Sequence, residues 1–106
     1  AAVEEIARRR IRLEAEPDAE ERARIREGIL AVVEGAARAR PTPGRSVDLC
    51  RAIRTVGAPP AFYDRVADRM EEEEGAAGRE AGAVFRAWAR ARRMEEGDGT
   101  GQQEGQ

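Results

Sequence analysis

The sequence predicts an all-α protein, a compact bundle of four to five short helices followed by a disordered C-terminal tail. Three observations carry this. No alternating run of β-branched residues is long enough to make a strand. Apolar residues recur at helical spacing between breaks at Pro17 and at residues 41–44, 57–60 and 75–78, each rich in Pro or Gly. Of the 106 residues, 21 are Ala, and Ala-rich helices can pack closely with small side chains, so a fold is expected despite few large apolar residues.

The spacing predicts a first helix over residues 2–15, with Val3, Ile6, Ala7 and Ile11 on one side. Glu4–Arg8 and Glu5–Arg9 support it as i,i+4 pairs in the favourable order. Pro17 stops it, and Asp18 caps the next helix, with Glu21 three residues on in a capping-box arrangement. The second helix, over 18–39, has its core stripe at Ile25, Ile29, Val32, Val33 and Ala36. Gly28 and Gly35 share one flank of it; glycines in register suit a close helix crossing, or are simply tolerated.

A Pro-Thr-Pro-Gly loop follows at 41–44. Ser46 is the expected cap of a short third helix, with Leu49, Cys50 and Ile53 inward and Gly57 at its C-terminal stop. Pro59 and Pro60 suit the first turn of a fourth helix. Its stripe is Phe62, Val66 and Met70, flanked by Tyr63 and Ala67, and Gly75 ends it. A fifth helix, about 77–95, is expected to bury Ala81, Val84, Phe85, Trp88 and Ala91. The reading is one helical domain over 1–96 and a disordered tail of Gly, Gln and acidic residues over 97–106.

Composition narrows the chemistry. There is no His and only one Cys, Cys50. That removes the commonest general base, the usual zinc ligand sets, His-dependent di-iron sites and any internal disulfide. No Lys is present for a Schiff base, and no P-loop or dinucleotide-binding glycine motif occurs. We expect no catalytic centre, metal or cofactor. Cys50, on the apolar side of its helix, reads as a buried structural thiol. No apolar run approaches the roughly 18 residues of a membrane span. One Cys and no apolar export segment point to a reducing, cytoplasmic setting.

All 19 basic residues are Arg, which fits either the bidentate grip of its planar fork or the codon bias of a GC-rich genome. Net charge is -2 and pI about 5.4, a balance that disfavours a dedicated nucleic-acid binder. Charge is nonetheless segregated: residues 61–80 hold seven acids against three Arg, while 81–94 hold four Arg and no acid.

Two features therefore stand out as interaction candidates. Arg79, Arg86, Arg90 and Arg93 fall within about 60° of each other on a helix, opposite Phe85 and Trp88. They are expected to form a solvent-facing basic ridge for an acidic partner or phosphate, unless they are only a solvated face. Glu71, Glu72, Glu73 and Glu74 crowd a helix C-terminus against its dipole, as an acidic docking surface or as a run offset by neighbouring Arg residues. With only 22 apolar side chains larger than Ala, the core is thin, which favours self-association or docking on a partner. The expected function is a small helical protein–protein interaction module. The alternatives are nucleic-acid binding through the Arg79–Arg93 ridge and a helical subunit of a larger enzyme complex.

Overall fold

The structure, a computed structural model, describes residues 1–96. The tail expected over 97–106 lies outside the described residues. Four helices and no strand make up the described chain: α1 Ala2–Ala15, α2 Ala19–Ala39, α3 Pro43–Ala52 and α4 Pro60–Glu104. The fold is all-α, as the periodicity predicts.

The cap of α2 is the one expected: Asp18 Oδ2 accepts from the Glu21 amide at 2.9 Å. The cap of α3 is not. Thr42 Oγ1 accepts from the Arg45 amide, and Pro43 takes the first helical position, where its missing N–H is harmless. Ser46 sits one turn inside α3, buried, with no hydrogen-bond partner for its Oγ among the described residues.

The core is assembled from Ile6 and Leu13 of α1, Ile25, Ile29 and Val33 of α2, and Leu49, Cys50 and Ile53 of α3 and the turn that follows it. Phe62, Tyr63, Val66 and Met70 join them from the start of α4. On α1 the buried side is Ile6 and Leu13. Val3, Ala7 and Ile11, expected inward, face solvent instead.

α4 is two helical limbs joined at Gly75, whose φ of 60° and ψ of -127° belong to glycine alone. This single residue folds the second limb back antiparallel on the first, so that Tyr63 meets Phe85 and Trp88. The fourth and fifth helices expected from sequence are thus one hairpin without an intervening loop. Ala81, Phe85 and Ala89 are buried in it; Val84 and Trp88 are half-buried, and Ala91 is exposed.

The close helix approach lies inside this hairpin, not at Gly28 or Gly35. A Cβ at Gly78 would sit 1.9 Å from the Met70 carbonyl oxygen. At Gly35 a Cβ would meet nothing within 4 Å, and at Gly28 only the tip of Arg9.

Arginine also stitches the fold. Arg22 donates to the Leu13 and Glu16 carbonyls at the end of α1, and Arg10 to that of Ala52 at the end of α3. Arg26 reaches Val56, and Arg92 reaches Ala58 in the loop before α4. Each guanidinium supplies a donor to a carbonyl at a helix end or in a loop, and that of Leu13 also accepts from the Glu16 amide.

Candidate interaction surface

The expected basic ridge is divided by the hairpin. Arg86 and Arg93 lie on the side of the second limb that faces the first, where Asp64, Asp68 and Glu71 form an acidic stripe. Arg86 donates to Asp68 at 2.7 Å and to Glu71 at 2.9 Å, and lies 3.8 Å from Asp64. Those hydrogen bonds, to Asp68 first and then Glu71, raise its pKa above the ordinary arginine value. Arg93 donates to Asp64. Only Arg79 and Arg90 remain exposed without a partner among the described residues. Arg86 therefore does not stand free in solvent as the helical wheel suggests.

The acidic run is divided in the same way. Glu71 is held by Arg86, and Glu73 accepts two hydrogen bonds from Arg38 of α2, at 2.8 and 2.6 Å. The bonds to Glu73 are the main reason the Arg38 pKa is raised. Glu72 stays exposed with no partner among the described residues, while the exposed Glu74 adds to the field on Arg38. Arg65 and Arg69, the arginines just before this run, turn instead to Glu34 of α2, at 3.5 and 3.2 Å. Most of the segregated charge is thus spent inside the molecule.

Two grooves stay open among the described residues. One, of about 410 Å³, lies between α2 and the start of α4, where Leu30, Ala31, Ala61 and Phe62 meet Glu34 and Arg65. The other, of about 350 Å³, runs beside the second limb of α4. Tyr63 and Trp88 form its floor, their rings near parallel at 24° with centroids 6.4 Å apart. Ala87 and Ala91, four residues apart and exposed, form one wall. Arg54, Arg92 and Glu95 stand at its edge. Arg92 is engaged by Ala58 and Glu95, but Arg54 has no side-chain partner among the described residues.

The outer face of α1 is open as well. Ile11 is 67% exposed and Val3 41%, with the exposed Ala7 between them. At i, i+4, i+8 the three make one apolar ridge, with Glu14 beside it, exposed and without a partner among the described residues.

Cys50 is buried, and that burial pushes its thiol up to about 12, so it stays protonated and inert at neutral pH. Among the described residues no cluster of His, Cys, Asp and Glu could hold a metal ion, and no helix is long and apolar enough to cross a membrane. No family model, curated protein or solved structure matches the chain.

The groove beside Trp88 and the α1 ridge were not singled out from sequence. A signal for the ridge was present, since Ile6 and Leu13 form a second apolar line on α1 that competes with Val3, Ala7 and Ile11. The groove has no such signal, because it exists only once the turn after α3 and the α4 hairpin meet.

Proposed function

We propose that this chain is a small helical protein–protein interaction module with no catalytic centre of its own. The observation that carries the reading is the apolar surface left open, the Tyr63–Trp88 groove and the Val3–Ala7–Ile11 ridge, on a molecule too thin in core residues to leave such surface idle. The same surface would serve a helical subunit within a larger enzyme complex. Against nucleic-acid binding stand Arg86 and Arg93, whose charges are already met by carboxylates. The single, buried cysteine fits a reducing, cytoplasmic setting.

The test is capture from native lysate by the immobilised chain, beside Ala91→Arg, which fills the groove from an exposed helical position. Retention of a defined protein by the wild-type chain and its loss with the variant supports the reading. An identical captured set, or turnover of a small molecule by the purified chain, overturns it.

A further inference from the structure

Resting on that reading, we infer that the occupant of the groove is a second copy of this chain, whose α1 ridge of Val3, Ala7 and Ile11 lies along Tyr63 and Trp88. The groove beside Trp88 and the α1 ridge have matching forms. One is convex, a helix face with aliphatic side chains at i, i+4, i+8. The other is concave, with an aromatic floor and a wall of two alanines, small enough to let a helix backbone come close. Ridge into groove is the ordinary way helices pack, and an amphipathic helix in an apolar groove is a recurrent recognition mode.

The charges agree with this occupant. Arg54 at the groove edge and Glu14 beside the ridge are exposed, opposite in sign and each without a partner among the described residues. Contact between copies would pair them.

Other occupants from the same chain fit less well. The ridge cannot reach its own groove, because Ile6, Leu13 and the Arg10–Ala52 hydrogen bond hold α1 against α2 and α3. Residues 97–106 contain no apolar side chain with which to fill it.

The placement also favours a closed pair. Arg10 ties α1 to the carbonyl of Ala52, and Arg54, two residues later, stands at the groove. Ridge and groove therefore flank the end of α3. A two-fold axis between them would let each copy give its ridge and receive the other's, the self-complementary arrangement of cyclic dimers. The contact is small and belongs with weak interfaces of under about 1,200 Å² in total.

Sedimentation velocity on the full chain, from about 10 µM to 1 mM to cover the range of such weak contacts, tests this with two variants. Ile11→Glu spoils the ridge and Ala91→Arg fills the groove. Both positions are exposed, and circular dichroism with urea midpoints confirms that each variant folds. The wild-type chain should show association that rises with concentration, and each variant alone should stay monomeric. An equimolar mixture should regain association, because one variant retains the ridge and the other the groove. In a closed pair the second contact then brings together two introduced charges of opposite sign.

A wild-type chain monomeric throughout overturns the inference. So does association that survives in either variant, or a mixture that fails to recover. A monomeric wild-type chain that still retains a lysate protein, lost with Ala91→Arg, overturns self-association while leaving the interaction module standing, with another protein in the groove.

Discussion

Replacing Gly78 with Ala is the sharpest test of the hairpin. The added Cβ would lie 1.9 Å from the Met70 carbonyl oxygen, 2.6 Å from its carbon and 2.8 Å from Glu74 Cβ. Two of these atoms are backbone, so no side chain can swing away to make room. The two limbs must part by about an ångström, and the Phe85 and Trp88 packing on Tyr63 must part with them. Overpacking of this kind costs roughly 1–3 kcal/mol, and contact with backbone belongs at the upper end. Ala returns about 1 kcal/mol through its helix propensity. The net expectation is a loss of about 2 kcal/mol, roughly a 30-fold fall in the folding equilibrium constant. The control is Gly35→Ala in α2, where a Cβ meets nothing within 4 Å. There the propensity term acts alone and should add about 0.5–1 kcal/mol. Urea titrations followed by circular dichroism and by Trp88 fluorescence read both changes. A Gly78→Ala chain as stable as wild type would mean that the limbs do not approach as described, and the placement of groove and ion pairs would fall with it.

Other outcomes follow from the same packing. Arg86→Glu puts a fourth carboxylate beside Asp64, Asp68 and Glu71 and should lower the urea midpoint, whereas Arg90→Glu, at an exposed position, should leave it in place. The gap should narrow near 1 M salt, where the screening length falls to about 3 Å; equal effects of the two reversals would refute the pairing. Phe85→Ala, at a fully buried ring, should remove about 3–5 kcal/mol, and Trp88→Ala, half-exposed, distinctly less; urea unfolding that shows the reverse order would contradict the burial. Burial pushes the Cys50 thiol from 9.0 up to about 12 and the Tyr63 hydroxyl from 10.0 up to about 12. The unfolded chain therefore loses these protons first, so stability is whole below about pH 9 and falls as pH rises from there towards 12. Urea midpoints that stay flat across that window, or rapid thiol labelling of the folded chain at neutral pH, would count against a buried Cys50.

The helices were legible because their punctuation is local. Asp18 after Pro17 can only begin something new, and Phe62, Val66 and Met70 at helical spacing can only face one way. Errors came where two neighbours competed for one role. Thr42 and Ser46 are both plausible caps of α3; Thr42 takes the role because Pro43 behind it fits the first helical position. On α1 two apolar lines compete, and Ile6 with Leu13 prevails by meeting α2 and α3. Gly78 resembles a loop residue beside Gly75, yet its missing Cβ is what lets the limbs touch. The first contest is decided by the neighbouring Pro43, the other two by what lies across the contact.

The arginine ridge shows why a helical wheel does not amount to a surface. A wheel places Arg79, Arg86, Arg90 and Arg93 together within a narrow arc, but a hairpin partner divides that arc. Asp64 and Glu71 are seven residues apart on one limb, as Arg86 and Arg93 are on the other, and the chain reverses between them at Gly75. Antiparallel limbs then set Asp64 against Arg93 and Glu71 against Arg86. The matched spacing was present in the sequence, but it acquires meaning only once the reversal is known. Charge segregation in adjacent segments, which on separate helices would advertise a docking face, here pins one limb of the hairpin to the other. The surface that the proposed interaction module would offer is accordingly the Val3–Ala7–Ile11 ridge and the groove beside Trp88, not the arginine ridge.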